Sequence, residues 1–282
     1  MPELPEVETT CRGLAKALIG KRIAQVAQNR GDLRLPFPKN LAEKLTGRKI
    51  VAVTRRAKYI LMALDNAQIL LLHLGMSGRM VLGDDPAAPV GKHDHLILRF
   101  DGAGVRTLRF NDPRRFGLCD LVAKEALGEH RLLRHLGVEP LGPSLTAAGL
   151  RESLQGRKTS IKAALLDQRV IAGLGNIYVC EALFYAGISP LRRADSCDDA
   201  EIGRLVPAIK RVLRAAIKAG GSSLRDYVHT DGNLGYFQHH FAVYDREDQP
   251  CTGCDCDLAK TGGVSRVAQA GRSSYFCPVR QS

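Results

Sequence analysis

Pro2 and Glu3 are the residues of this 282-residue chain best suited to chemistry at a terminus. Removal of Met1, expected before a small second residue, exposes the secondary amine of Pro2 beside the carboxylate of Glu3. A free α-amine titrates at about pH 8, so a neutral, nucleophilic fraction exists at physiological pH. Attack of a secondary amine on a carbon such as a sugar C1′ gives an iminium, whose fixed positive charge draws electrons from neighbouring bonds and lets them break. Glu3 supplies or takes the protons. At the other end, Cys251, Cys254, Cys256 and Cys277 all lie beyond residue 250, and Cys251-Thr-Gly-Cys254 has the spacing of a zinc knuckle. Cys11, Cys119, Cys180 and Cys197 are scattered and read as packed thiols.

Such a terminus must be held in place. Val7, Cys11, Leu14, Ala15 and Leu18 recur at helical spacing, which predicts a helix over 6–18 with Pro5 in its first turn and Gly20 beyond its end. Glu6 and Glu8 favour its N-terminus. Between about 22 and 123 the pattern changes to short β-rich runs at 23–26, 50–53, 59–64, 69–74, 96–100, 105–110 and 118–122. Many short strands separated by turn residues predict a sandwich or barrel. Helical periodicity returns after a Gly- and Pro-bearing connector, with Ser144 expected to cap the next helix. The longest helical pattern runs from Ile202 to Ile217, with a kink expected at Pro207 and a stop at Gly220-Gly221. These changes place a β-rich domain at 1–136, a linker at 137–143, a helical domain at 144–244 and a cysteine-bearing tail at 245–282.

Hydrophobic residues make up 45% and charged residues 25%, the proportions of an ordinary globular protein. Lysine and arginine exceed the acids by 12, and the isoelectric point is about 9.5, which excludes a strongly basic partner and favours a polyanion such as nucleic acid. The opening residues lack a basic n-region and apolar core, and no apolar run is long enough to span a bilayer, so the expectation is a soluble cytoplasmic protein with no membrane partner.

Several motifs follow one another along the chain: Pro2-Glu-Leu-Pro-Glu-Val-Glu8, Arg55-Arg-Ala-Lys-Tyr59, His73-Leu-Gly-Met-Ser-Gly78, Lys92-His-Asp-His95, Asn111-Asp-Pro-Arg-Arg-Phe-Gly117 and Gly173-Leu-Gly-Asn-Ile-Tyr178. In order, and across nearly the whole length, they resemble the bacterial formamidopyrimidine-DNA glycosylases. The resemblance implies an α+β protein: an N-terminal β-sandwich with flanking helices, then a helical domain with a helix-two-turn-helix and a β-hairpin zinc finger. It implies a bifunctional glycosylase and abasic-site lyase acting as a monomer on damaged double-stranded DNA, with Pro2 as Schiff-base nucleophile and Glu3 as proton donor. Lys58 matches the lysine of the elimination steps, where an ammonium stabilises a leaving group. Met76, Arg114 and Phe116 match the residues that fill the duplex where the damaged nucleotide leaves it. His93, Arg157 and Lys162 match phosphate-binding positions. Asn176 opens the second helix of the helix-two-turn-helix, where main-chain amides favour an anion. Within the class the alternative is a preference for oxidised pyrimidines, as in endonuclease VIII; outside it, a DNA-binding protein without chemistry.

The tail departs from the family pattern of two Cys-x-x-Cys pairs. The second pair reads Cys277-Pro-Val-Arg280, and arginine cannot ligate zinc. One structural zinc ion is expected on Cys251, Cys254 and Cys277, with Cys256, a water or a carboxylate as fourth ligand; a hairpin that holds without metal is the remaining alternative. Arg272 aligns with the finger arginine that reaches the lesion-strand phosphate and is assigned to δ-elimination. The stretch 222–236 resembles the family's loop over the flipped base.

Overall fold

The structure, a computed structural model, describes residues 2–222, 235–254 and 257–282. They fall into two compact units, residues 1–134 with 219–236, and residues 135–218 with 237–282.

In the first unit, helix α1 (Leu4–Leu18) begins in a reciprocal capping box between Glu3 and Glu6, with proline in its first turn. Its apolar stripe, Val7, Cys11, Leu14 and Leu18, enters the core. Strands β1 (Ile23–Gln28), β6 (Asp94–Phe100), β7 (Thr107–Asn111) and β5 (Arg79–Gly83) form one antiparallel sheet in that order. A second is built from β2 (Ile50–Arg56), β3 (Tyr59–Leu64), β4 (Gln68–His73) and β8 (Leu118–Ala123). Both sheets share one core, in which Ile60, Met62 and Leu72 of the second join Leu96, Leu98 and Leu108 of the first. Strand β5 and helix α2 (Leu41–Leu45) are among the elements that escaped the sequence reading. The strand is only partly buried and shows little alternation, and the helix is too short to display a period.

The second unit holds α3 (Ala147–Leu154), α4 (Ile161–Leu166), α5 (Asn176–Ala186), α6 (Asp199–Lys218), the short α7 (Leu258–Thr261) and a hairpin of β9 (Ser265–Gln269) and β10 (Arg272–Phe276). Thr146, rather than Ser144, caps α3, its hydroxyl accepting the Gly149 N–H at 3.0 Å. Helix α6 continues through Pro207 as a single element. Within the segment expected as a linker, Val138 makes a parallel bridge to Ile171, tying the start of that segment into the second unit. Helix α5 is apolar on nearly every face and buried, as a central helix must be. Among the described residues, no helix is long and apolar enough to cross a membrane.

Candidate active site and nucleic-acid contacts

The head of α1 brings together Pro2, Glu3 and Glu6, all buried. The N–H of Glu3 donates to Glu6 Oε2 at 2.8 Å, while Glu6 Oε1 accepts the N–H and hydroxyl of Ser222 at 2.8 and 3.1 Å. One carboxylate therefore ties the chain terminus to residue 222, where the stretch 223–234 begins. A Cβ on Gly221, whose φ is +81°, would stand 2.9 Å from Glu6 Oε1, so glycine is what lets the two segments approach. Met1, and with it the expected exposure of the Pro2 amine, lies outside the described residues, as does 223–234 of the expected lesion loop.

Lys58 sits in the tight turn between β2 and β3, next to Ala57, whose φ of 52° is left-handed. That turn is braced from α1. Glu8 pairs with Arg55 at 3.1 Å, and Arg55 Nη1 donates to the Ala57 carbonyl at 2.8 Å. His73, opposite Tyr59 across the β3–β4 ladder, packs on the tyrosine ring with centroids 4.8 Å apart. Burial, reinforced by the positive charges of Lys58 and Arg34, pushes its pKa down to about 4. Its Nδ1 accepts the Gly75 N–H at 3.0 Å, as a neutral imidazole can. His73 opens the motif at 73–78 but has no role assigned from the sequence, because its cross-strand partners are visible only in the fold.

Met76 and Phe116, large apolar residues, are 37% and 43% exposed, and the Arg114 guanidinium lies 4.9 Å over the Phe116 ring. They stand on two loops joined by the fully buried Asp112. Its Oδ1 accepts from the Ser77 hydroxyl at 2.6 Å and its Oδ2 from the Gly117 N–H at 2.7 Å. Ser77 Oγ in turn accepts the Arg114 N–H at 3.2 Å, and His95 Nε2–H donates to the Asp112 carbonyl at 2.8 Å. The Asp112 N–H reaches the His93 carbonyl at 3.0 Å, which attaches half-buried His93 to the same junction. A Cβ on Gly75, whose φ is +63°, would stand 2.4 Å from the Phe116 carbonyl carbon, so the loops close only because this residue is glycine. Ser77 and Asp112 stand in the motifs at 73–78 and 111–117, but the bond that joins them emerges only when the two loops meet.

In the second unit the turn between α4 and α5 is organised by Gln168. Its Oε1 accepts the Gly173 N–H at 2.8 Å and its Nε2 donates to the Leu174 carbonyl at 2.8 Å. The structure corrects the reading of Lys162. This residue is 1% exposed, and its ammonium donates to the Ser273 carbonyl at 2.8 Å and the Ser274 hydroxyl at 2.6 Å. Buried in that way, its side chain secures the β9–β10 hairpin rather than lying open to a phosphate. The Asn176 side-chain amide also donates to the Ser273 carbonyl, at 2.9 Å, so this side chain too is tied to the hairpin. Exposed Arg272 is next to Ser273 and lines, with Ser160, Lys162, Asp167 and Ala270, a cavity of about 560 Å³. Arg157 is engaged too, its Nη1 3.2 Å from Asp167 Oδ2. Asp167 is held well below the usual carboxylate range, at about 2, first by its hydrogen bonds from the Arg169 side chain and further by Arg157.

Cys251, Cys254 and Cys277 come together with all three sulfurs within 4.8 Å of one another, Cys251 to Cys254 at 3.0 Å and Cys254 to Cys277 at 3.5 Å. Tetrahedral zinc with Zn–S bonds of about 2.3 Å spaces its sulfurs by roughly 3.8 Å, so the three sulfurs lie near enough to one another for three corners of such a site. Cys256, the expected fourth ligand, lies outside the described residues.

Comparison with known proteins matches residues 1–119 to the formamidopyrimidine-DNA glycosylase N-terminal domain and 136–228 to the formamidopyrimidine-DNA glycosylase H2TH domain. A formamidopyrimidine-DNA glycosylase of Rhodospirillum rubrum is 56% identical over 282 residues, covering all of both chains, and one of Rhodospirillum centenum is 53% identical, also over all of both. Among solved structures, a Lactococcus lactis Fpg mutant in complex with Fapy-dG-containing DNA superimposes with a TM-score of 0.90 at 33% identity, covering 100% of each chain. The MutM protein of Thermus thermophilus gives 0.85 at 41%, covering 99% of this chain and 98% of its own.

Proposed function

The chain belongs to the formamidopyrimidine-DNA glycosylase family and is a bifunctional DNA glycosylase and abasic-site lyase for oxidised purines, within which we propose the following division of labour among its residues. The neutral Pro2 amine attacks C1′ of the lesion nucleotide as the bond from C1′ to the base breaks, and the N–H proton of the resulting ammonium passes to the departing base. Glu3 protonates the sugar ring oxygen as the ring opens, giving an iminium between the Pro2 nitrogen and C1′. Loss of a C2′ proton to the Glu3 carboxylate expels the 3′ phosphate, and loss of the C4′ proton to the same acceptor, relieved of its first proton by solvent, expels the 5′ phosphate through the conjugated system. Water then hydrolyses the imine and frees Pro2. Lys58 and Arg272 stabilise the departing phosphates as cations.

Met76, Arg114 and Phe116 fill the space left by the extruded nucleotide, with Arg114 hydrogen-bonding the orphaned base. His93, Arg157 and the amides at the start of α5 take backbone phosphates. Cys251, Cys254 and Cys277 hold one structural zinc ion, which when bound cross-links the tail beside the hairpin. The protein works as a monomer in the cytoplasm.

The observation that carries this assignment is the buried Pro2-Glu3 pair clamped by Glu6 at the head of α1. Its test is excision of 8-oxoguanine opposite cytosine by Pro2→Gly and Glu3→Gln, beside duplex binding. Loss of excision with binding kept is expected; unchanged excision in both variants overturns the roles given to the pair. Because the Lactococcus lactis protein has also been crystallised with DNA containing an oxidised pyrimidine, thymine glycol is the comparison substrate. A strong preference for it would move the chain toward the pyrimidine-directed reading.

A further inference from the structure

Arg280 occupies the tail position where the family pattern calls for the second cysteine of the last pair, and its side chain is not idle. Its Nη1 donates to the carbonyl of Gly253, inside the Cys251-Thr-Gly-Cys254 knuckle. Its guanidinium carbon lies 4.9 Å over the ring of Phe184 in α5, and its Nε reaches the Phe184 carbonyl at 3.4 Å. A Cβ on Gly253 would fall 2.7 Å from Arg280 Nη1 and 2.9 Å from Phe184 Cζ. Knuckle, arginine and α5 are therefore in close contact, and a side chain at residue 253 would push the Arg280 guanidinium or the Phe184 ring aside.

The rest of the tail is secured in the same direction. The Cys277 N–H donates to Gln281 Oε1 at 2.8 Å, and Gln281 Nε2 donates to the Ile188 carbonyl just past the end of α5 at 2.8 Å. The Ser189 N–H reaches the Ser282 carbonyl at 3.0 Å. Beneath these bonds Cys180 and Phe184 of α5 share one apolar cluster with Cys251, Val264, Tyr275 and Cys277. A fourth thiolate would bind the end of the tail to the knuckle through the metal. Arg280 makes the same connection by a hydrogen bond to the knuckle backbone and a cation–π contact to the helix.

We propose that Arg280 is a metal-independent strap that holds the Cys251–Cys254 knuckle against α5, so that the β9–β10 hairpin keeps its place, and Arg272 with it, when the metal is removed. The inference rests on the three thiolates being a metal site only for its comparison of loaded and stripped protein.

The experiment uses the full chain, with metal content measured as purified and after treatment with a strong zinc chelator, and hydrogen exchange followed at residues 265–276. Stripped wild type is expected to keep hairpin protection close to that of loaded protein. Stripped Arg280→Ala is expected to lose about tenfold in protection, the combined effect of one hydrogen bond and one cation–π contact. Arg280→Gln, which keeps a donor but not the charge or the stacking plane, should fall between, and serves if the alanine variant does not fold. Equal loss of protection on stripping in wild type and Arg280→Ala overturns the proposal. Should the purified protein hold no metal, the metal-site reading fails by itself; the strap is then tested by Arg280→Ala without chelator, where unchanged hairpin protection overturns it.

Discussion

Lys162 shows how a residue type can be legible while its role is not. A lysine at the start of a DNA-binding helix is the right chemistry for a phosphate, and only the fold reveals that the hairpin, more than 100 residues later, takes up its ammonium. The two roles differ in their salt dependence. A phosphate contact contributes about −0.9 to the slope of log affinity against log salt, so its loss makes the slope shallower. For Lys162→Ala the slope is expected to stay the same, while the thermal midpoint falls because the Ser274 hydroxyl loses a buried donor and the Ser273 carbonyl one of its two, keeping that of Asn176. Asp112 is the converse case, given no role in the sequence reading though part of the motif at 111–117, and central in the structure. In Asp112→Ala the Ser77 hydroxyl and the Gly117 amide lose their acceptor, at roughly 1–3 kcal/mol for each buried group. Excision of 8-oxoguanine should then fall more than cleavage at a preformed abasic site, which needs less extrusion; equal losses would detach Asp112 from the wedge. His73 adds a pH dependence. The unfolded ring takes up its proton near pH 6.5 and the folded one only near 4, so the folded state binds fewer protons in between and stability falls as pH drops through that window. Denaturant unfolding of wild type and His73→Gln from pH 7.5 to 4.5 checks this: the wild type should lose more stability on acidification than the variant.

At the level of elements, helix α1 and most strands were legible because their apolar periods are strong; β3 runs over the same residues as its sequence pattern, Tyr59 to Leu64. What escaped was either short, as α2, or half-exposed, as β5. The cap of α3 fell on Thr146 rather than Ser144, a choice between two competent hydroxyls that only backbone geometry decides. The meeting of the loops at 74–78 and 111–117 is likewise tertiary, and Gly75 shows what it requires. Gly75→Ala puts a side chain on a left-handed residue and against the Phe116 backbone. Excision by this variant is expected to drop at least tenfold, with affinity for undamaged duplex within about twofold, since phosphate contacts dominate nonspecific binding. Wild-type excision would mean that the two loops act independently.

For the molecule as a whole, the net charge of +12 directed attention to a polyanion, and the ordered motifs narrowed that to the glycosylase family, whose two domain models match 1–119 and 136–228. The grouping of 219–236 with the first unit was not legible, because it depends on Glu6 reaching Ser222 across more than 200 residues. Nor was the way the altered tail is held, since the partners of Arg280 lie on α5 and in the knuckle. The central claim is that the Pro2 amine carries the reaction. Its most direct test is borohydride trapping on a duplex bearing one 8-oxoguanine opposite cytosine, with mass mapping of the DNA-linked peptide. The account predicts a covalent adduct on Pro2 of a chain that has lost Met1; an adduct on another residue, or strand cleavage without any adduct, would contradict it.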